Sequence, residues 1–193
     1  MITVYLFRHG ITFGNEQRLY YGSTDLSLSE KGREAVLERK EAGMYPDPTG
    51  FEVITSALIR TQETAKLVYG DISFISDKRL NEADFGDFEM KSYEQLKDDP
   101  DFNIWISGDN WNNICPNGES GKIMMDRART AFSEYLCKDS IIFCHGGIIA
   151  SFMMEWFPGL RDNFYEWQPK PCEGYKVIFD EHGSPVDYLE IKR

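Results

Sequence analysis

Two periods of hydrophobic and polar positions alternate along this chain. Ile2-Thr3-Val4-Tyr5-Leu6-Phe7 is apolar or β-branched throughout, with no Gly or Pro, and reads as a short buried strand. Phe51-Glu52-Val53-Ile54-Thr55, Ile72-Ser73-Phe74-Ile75 and the apolar run over 140–144 read the same way. Helical signals lie between them. Ser27-Leu28-Ser29-Glu30 has the capping-box pattern and opens a helix to about Ala42, which Gly43 stops before a loop with Pro46, Pro48 and Gly50. Ser56 is a candidate N-cap for a helix running to about Tyr69. A short helix is predicted from Ser92 to Lys97, a long one from Ser120 to about Leu136, and another from Ile148 to Trp156. Tyr175 to Phe179 and Val186 to Ile191 look like a closing antiparallel pair. Strands alternating with helices predict an α/β three-layer sandwich, a mostly parallel central sheet flanked by helices. No repeat, low-complexity tract or linker divides the chain, so 1–193 is expected to form a single domain.

Composition narrows the partners. Hydrophobic residues make up 41% and charged residues 27%, as in soluble globular proteins, and 193 residues suffice for a sizeable core. The net charge of −11 disfavours nucleic acid and anionic membranes, and gives no long-range steering to an anionic substrate, so attraction must be local. No apolar run approaches the length of a membrane span. The apolar start is too short for a signal peptide and lacks a basic leader, so a cytoplasmic location is expected. Cys115, Cys137, Cys144 and Cys172 show no zinc-binding spacing and read as reduced thiols.

The chemistry gathers where strands end. Arg8-His9-Gly10 follows the first strand directly, and Ile141-Ile142-Phe143-Cys144 ends in His145-Gly146-Gly147. Ligand sites in open α/β sheets lie at the carboxyl ends of strands. A neutral imidazole there can act as a nucleophile, a guanidinium can hold an anion, and glycine allows close backbone approach. Arg60 falls near the start of the helix after Ser56, where free N–H groups and the helix dipole favour anions. The blander alternatives are satisfied core histidines for His9 and His145 and a surface position for Arg60. His182, in Asp180-Glu181-His182-Gly183-Ser184-Pro185, fits an ordinary turn.

Taken in order, these segments resemble the histidine phosphatase superfamily, in its phosphoglycerate-mutase-like branch. The matching stretches are Phe7 to Thr12 with Asn15, Tyr21 to Gly32, Ser56 to Ala65, Leu80 to Glu89, Gly118-Glu119-Ser120 and His145-Gly146-Gly147. The resemblance implies a phosphoglycerate mutase-like fold with 84–117 as a capping insertion. It implies that His9 is the nucleophile that becomes a phosphohistidine, and that Arg8, Arg60 and His145 bind the phosphoryl oxygens. Asn15 adds a neutral hydrogen bond and Glu82 serves as the proton donor, with Asp84, Asp87 and Glu89 as nearby alternative acids. The arginines and His145 supply the positive charge, so no metal and no cofactor is expected.

The same resemblance separates two reactions. Phosphoglycerate mutases of the branch carry Glu-Arg-His-Tyr-Gly where this chain has Glu82-Ala83-Asp84-Phe85-Gly86. Ala83 cannot hold a second anionic group and Asp84 would repel one, so hydrolysis is favoured over transfer. The small bacterial phosphatases, among them the α-ribazole-5′-phosphate phosphatases and the broad-specificity enzymes, are the most similar in size and motif. A small phosphorylated metabolite is the expected partner. A mutase, a non-catalytic phosphate-ligand sensor and a homodimer stay open. Met90 stands where such phosphatases have a glycine, which bears on the local turn. Between Asp101 and Asn117 lie Trp105, Asn110, Trp111, Asn112 and Asn113. Trp105 or Trp111 is expected either to pack on an apolar or ring-shaped part of the substrate or to anchor the loop to the core.

Overall fold

A computed structural model describes residues 1–108 and 111–193. The chain runs β1 (Ile2–Arg8), α1 (Phe13–Glu16), β2 (Leu19–Tyr20), α2 (Glu30–Glu41), β3 (Glu52–Ser56), α3 (Ile59–Tyr69), β4 (Ile75–Asp77), β5 (Lys91–Ser92), α4 (Tyr93–Leu96), α5 (Pro100–Ser107), α6 (Gly121–Tyr135), β6 (Ser140–Cys144), α7 (Gly146–Trp156), α8 (Phe164–Trp167), β7 (Gly174–Phe179) and β8 (Pro185–Ile191). Six strands form one sheet in the order β4-β3-β6-β1-β7-β8. The β4, β3, β6 and β1 strands pair in parallel, while β7 is antiparallel to β1 and β8 to β7. The α/β sandwich with a mostly parallel sheet is thus the observed architecture. Among the described residues, no helix is long and apolar enough to cross a membrane.

Strand periodicity explains the layers. Val4 and Leu6 of β1 face one way with Ile142 and Cys144 of β6, packing on Met124 and Ala128 of α6 and Ile148 and Phe152 of α7. Phe7 of β1 faces the other way with Ile141 and Phe143 of β6, packing on Val36 of α2 and Ala65 and Val68 of α3. Phe143 has ring neighbours in Phe7, Tyr45 and Tyr69, with centroids 5.6, 6.2 and 6.0 Å away. A third, smaller cluster joins Phe88, Leu96, Phe102 and Cys115, with Trp105 packed against it.

Several sequence expectations need correction. The strand expected over 72–75 begins at Ile75, because pairing starts where Ile75 meets Ile54, and runs on to Asp77. The second helix is capped by Ser29, whose hydroxyl accepts the Gly32 N–H, rather than by Ser27. Ser56 does not cap α3. That helix begins at Ile59, and the Ser56 side chain is engaged elsewhere. The final long helix begins at Gly146, two residues before Ile148, which makes His145 its N-cap residue. Helix α5 was not foreseen, although Asp99 caps it and Pro100 opens it, a standard N-terminal pairing.

Truncating Phe143 to Ala empties a fully buried ring site. The expected cost is about 3–5 kcal/mol of unfolding free energy. Urea titration of wild type and Phe143→Ala checks this, and a loss below about 1 kcal/mol would show that the layer is not packed as described.

Candidate active site

The site is set by register. Parallel pairing puts Arg8 of β1 opposite Cys144 of β6, so His9 and His145 are the next residues on adjacent strands. The His9 N–H donates to the Cys144 carbonyl at 3.1 Å, and the two imidazole centroids lie 5.2 Å apart. On the far side of β6, Thr55 of β3 pairs with Phe143, which brings Ser56 to the same level. Three parallel strands therefore deliver their last side chains to one edge of the sheet, where α/β proteins bind ligands.

Each ring is oriented by one hydrogen bond. His9 Nδ1 lies 2.7 Å from the Gly10 carbonyl, which can only accept, so Nδ1 carries the proton and Nε2 keeps its lone pair. His145 Nε2 lies 2.8 Å from the Ser56 hydroxyl, and its Nδ1 is buried with no partner. When the Ser56 hydroxyl donates to Nε2, the ring proton sits on Nδ1. Burial, with the charges of Arg60 and Arg8 adding to it, holds the His9 imidazole well below the ordinary histidine range. Burial does the same to His145, with Arg60 the largest of the charges acting on it. Both rings are neutral near pH 7.

The two arginines converge on these rings. Arg60 is 1% exposed and sends its terminal nitrogens to the carbonyls of Thr24 (2.9 Å) and Gly22 (2.6 Å), with the Tyr21 ring 5.1 Å from its guanidinium carbon. Arg8 donates to the Pro169 carbonyl at 2.9 Å. The Nε atoms of both arginines are buried without a partner. Burial lowers both pKa values, yet a guanidinium stays cationic. Two buried cations, each with an unpartnered Nε–H, beside two neutral imidazoles make a candidate anion site. Leaving a buried donor unpaired costs about 1–3 kcal/mol, so such a cluster is not expected in a core built for stability alone.

Glu82 sits beside this cluster. Its carboxylate accepts the Gly147 N–H at 2.8 Å and the Ala83 N–H at 3.1 Å. The double glycine after His145 has a steric cause. A Cβ on Gly147 would meet Glu82 Oε1 at 2.4 Å, and one on Gly146 would meet Gln168 Nε2 at 2.8 Å and the Arg8 guanidinium carbon at 3.1 Å. Arg127, which the sequence reading passed over, holds Glu82 from behind. It donates to the carbonyls of Arg79, Asn81 and Glu82 and grips Glu119 with two nitrogens at 2.7 and 2.9 Å. The only sequence signal for this was Glu119 in the Gly-Glu-Ser stretch, with Arg127 two helical turns further on.

The alternative acids have other partners. Glu89 accepts hydrogen bonds from the backbone N–H groups of Gly22, Ser23, Thr24 and Phe85. Asp84 accepts from Ser23 Oγ and the Gly86 N–H, and Asp87 from the Asn117 amide. Met90 adopts the left-handed conformation, φ 59°, that a glycine would adopt freely. Its N–H bonds the Tyr20 carbonyl at 2.7 Å, which offsets a conformational cost of about 1–2 kcal/mol. His182 is exposed in a turn, and burial pushes the Cys144 thiol well above its ordinary range.

A cavity of about 1000 Å³ adjoins this cluster at Arg8, Glu82 and Gly147, with His9, Arg60 and His145 buried and not among its lining residues. Arg8, Asn15, Glu82, Trp105 and Trp111 all line it. Asn15 spends its amide oxygen on the Thr12 N–H at 3.0 Å, so its NH₂ end is what it can offer a ligand. Trp105 lines the cavity and also packs on Phe88, Phe102, Phe85 and Tyr20, so it is both wall and anchor. Trp111 is 37% exposed and lies over Gly121. Asn110 falls outside the described residues. Among the described residues, no group of three or more His, Cys, Asp or Glu side chains is placed to hold a metal ion.

Comparison with known proteins follows the same line. The family model of the histidine phosphatase superfamily (branch 1) matches residues 4–192. A 2,3-bisphosphoglycerate-dependent phosphoglycerate mutase of Parvibaculum lavamentivorans is 31% identical over 167 residues, covering 78% of this chain and 77% of that protein. A probable phosphoglycerate mutase GpmB of Salmonella paratyphi C is 30% identical over 141 residues, 70% of this chain and 64% of that protein, so the match spans just under two thirds of the relative. The alpha-ribazole phosphatase of Shigella flexneri superposes with a TM-score of 0.83 at 21% identity, covering 99% of this chain and 96% of that one.

The ring geometry makes a spectroscopic prediction. In phosphate-free protein at pH 6.0 an ordinary histidine is largely protonated, its pKa being about 6.5. The depressed values of His9 and His145 should keep both neutral there, His9 with its proton on Nδ1 and His145 in the single tautomer that its bond to Ser56 sets. Long-range ¹H–¹⁵N correlation spectra read charge and tautomer directly. In Ser56→Ala the His145 ring should lose its single tautomer while His9 keeps its own. A charged His9 at pH 6.0 would contradict the assignment.

Proposed function

The chain belongs to branch 1 of the histidine phosphatase superfamily, and from that premise we propose that it is a metal-independent phosphomonoesterase working through a phosphohistidine on His9. The observation that carries this reading is the set of buried, unpartnered polar atoms, Arg8 Nε, Arg60 Nε and His145 Nδ1, beside a neutral His9 that keeps its proton on Nδ1. In the first step the phosphoryl oxygens take those donors and the Asn15 amide. Nε2 attacks phosphorus in line, the P–O bond breaks, and Glu82, entering as the carboxylic acid, gives its proton to the departing oxygen. In the second step the Glu82 carboxylate removes a proton from water, which attacks phosphorus, breaks the P–N bond and releases phosphate. Positioning and charge do most of the work, because phosphoryl transfer is largely dissociative. The 84–117 segment, which brings Phe85, Trp105 and Trp111 to the cavity, serves as its cap.

Hydrolysis rather than mutase transfer is favoured by the cavity's charge. A phosphoglycerate carries a second anionic group, and Arg8 is the only cationic side chain lining the cavity among the described residues. The histidine phosphatase superfamily contains both kinds of enzyme, and the mutase relatives make transfer the reading to test against.

Phosphate release from p-nitrophenyl phosphate and a panel of metabolite monoesters, including α-ribazole 5′-phosphate, should proceed in EDTA and fall at least 10³-fold, roughly, in His9→Ala. Loss of turnover in EDTA, restored by a divalent ion, would overturn the metal-free reading. Phosphate exchange between phosphoglycerates, primed by a bisphosphate and outpacing hydrolysis, would replace it with a mutase. Glu82→Gln should slow alkyl phosphates by roughly 10²–10⁴-fold, and p-nitrophenyl phosphate much less, since nitrophenolate leaves without a proton. Equal losses on both would assign the acid elsewhere.

A further inference from the structure

The part of the cavity beyond the phosphoryl site is built from rings. Tyr20, Phe85, Trp105, Trp111, Phe164 and Tyr165 line it. Several are fixed edge-to-face before any ligand arrives. Trp105 meets Tyr20 at 6.1 Å and Phe85 at 5.7 Å, and Tyr20 meets Phe85 at 6.3 Å. Rings held this way offer flat, apolar faces at little further entropic cost.

Charge on these walls has one sign. Among the described residues, the charged ones lining the cavity apart from Arg8 are Glu82, Glu119 and Glu155. Glu119 is bound to Arg127 at 2.7 Å and Glu155 to Arg129 at 2.5 Å, so the nearest cations behind the wall are already taken. A second anionic group on the substrate would be desolvated against carboxylates, with no further guanidinium or ammonium among the described lining residues to meet it.

Polar groups interrupt the apolar wall, among them the Gln168 amide, the Tyr20 and Tyr165 hydroxyls and Ser151, and Ser151 is the one that stands buried and unpaired. Ser151 lies on α7, is 5% exposed, lines the cavity, and its hydroxyl is buried without a partner. A helix serine can satisfy itself by donating to the carbonyl four residues back, and this one does not. That residue is Gly147, whose N–H holds the Glu82 carboxylate. Four residues of helix rise about 6 Å, so Ser151 stands on the same face as the acid, about that far along the leaving group.

We propose that the cavity selects a phosphomonoester whose leaving group is a large, flat ring system with no second anionic group, and that the Ser151 hydroxyl reads one hydrogen-bonding atom on that ring. This rests on the cavity serving the phosphoryl site described above. The rings supply area without direction, the carboxylates exclude dianionic alternatives, and Ser151 fixes which way round the ring system enters.

Binding of non-hydrolysable phosphonates to the wild-type protein tests this separately from turnover. The probes are (2-naphthyl)methylphosphonate, its hydroxy-substituted and 6-carboxy derivatives, and 3-phosphonopropionate, measured by calorimetry. The naphthyl compound should bind at least tenfold tighter than 3-phosphonopropionate, and the carboxy derivative at least tenfold weaker than its parent. One hydroxy derivative should bind roughly five- to tenfold tighter than the parent. In Ser151→Ala that ratio should fall to near one, while the penalty on the carboxy derivative remains. Equal or tighter binding of the carboxylated probes would overturn the charge argument. A hydroxyl preference unchanged in Ser151→Ala, or no such preference in wild type, would overturn the role of Ser151. If these affinities hold while His9-dependent hydrolysis is absent, the cavity assignment stands and the phosphatase reading fails. If hydrolysis holds and the affinities do not, the reverse follows.

Discussion

Everything at this site depends on the parallel pairing of three strands that end at one level. The β1 strand is held to β6 with Arg8 opposite Cys144, and β6 to β3 with Thr55 opposite Phe143. Shifting either pairing by one residue would turn the strand's side chains to opposite faces. It would also separate His9, His145 and Ser56. The packed rings of Phe7, Phe143, Tyr45 and Tyr69 lock that register from one face, and the packing of α6 and α7 on Val4, Leu6 and Ile142 locks it from the other. The core is thus the support that lets buried donors stand unpaired a few ångströms away.

The charge distribution has the same local logic. The proposed anion site is compatible with a net charge of −11 because its cations are buried and aimed by backbone carbonyls, where charge is screened weakly. Arg60 is fixed by Gly22 and Thr24, and Arg8 by Pro169. Some of the acidic residues in that count are tied up away from the site. Asp77 binds Arg79 and Tyr135, and Glu134 binds Arg79.

Much of this was legible in the sequence, and the unread part has a common cause. Strand periodicity marked β1, β3 and β6, because a strand covered on both faces leaves a nearly uninterrupted apolar run, while β7 and the exposed edge strand β8 were marked by their aromatic and β-branched residues. His9, His145, Arg8, Arg60 and Glu82 were named because their residue types are unusual at strand ends or match an ordered set of motifs. What stayed hidden depends on contacts distant in sequence. Ser56 looks like a helix cap locally, but its hydroxyl is 2.8 Å from a ring 89 positions away. Arg127 looks like an ordinary helical arginine, although it clamps three carbonyls some 45 residues back. Ser151 lies within an apolar helix and gives no local signal. Met90 could be flagged as a departure, but only the backbone shows that it takes up the left-handed turn rather than reshaping it.

The Glu89 carboxylate joins two regions that a sequence reader would treat as separate. It gathers the N–H groups of Gly22, Ser23 and Thr24, the loop whose carbonyls aim Arg60, and it takes the N–H of Phe85, a ring of the cavity wall. Along this edge the grip on the anion and the shape offered to the rest of the ligand are one mechanical unit. Variation that retunes what the cavity accepts without loosening that grip is therefore freest at lining positions away from Glu89 and the rings it helps to place, such as Met154 of α7. Lineages diverging in substrate from a chain of this kind should accumulate their differences there and leave Glu89 untouched.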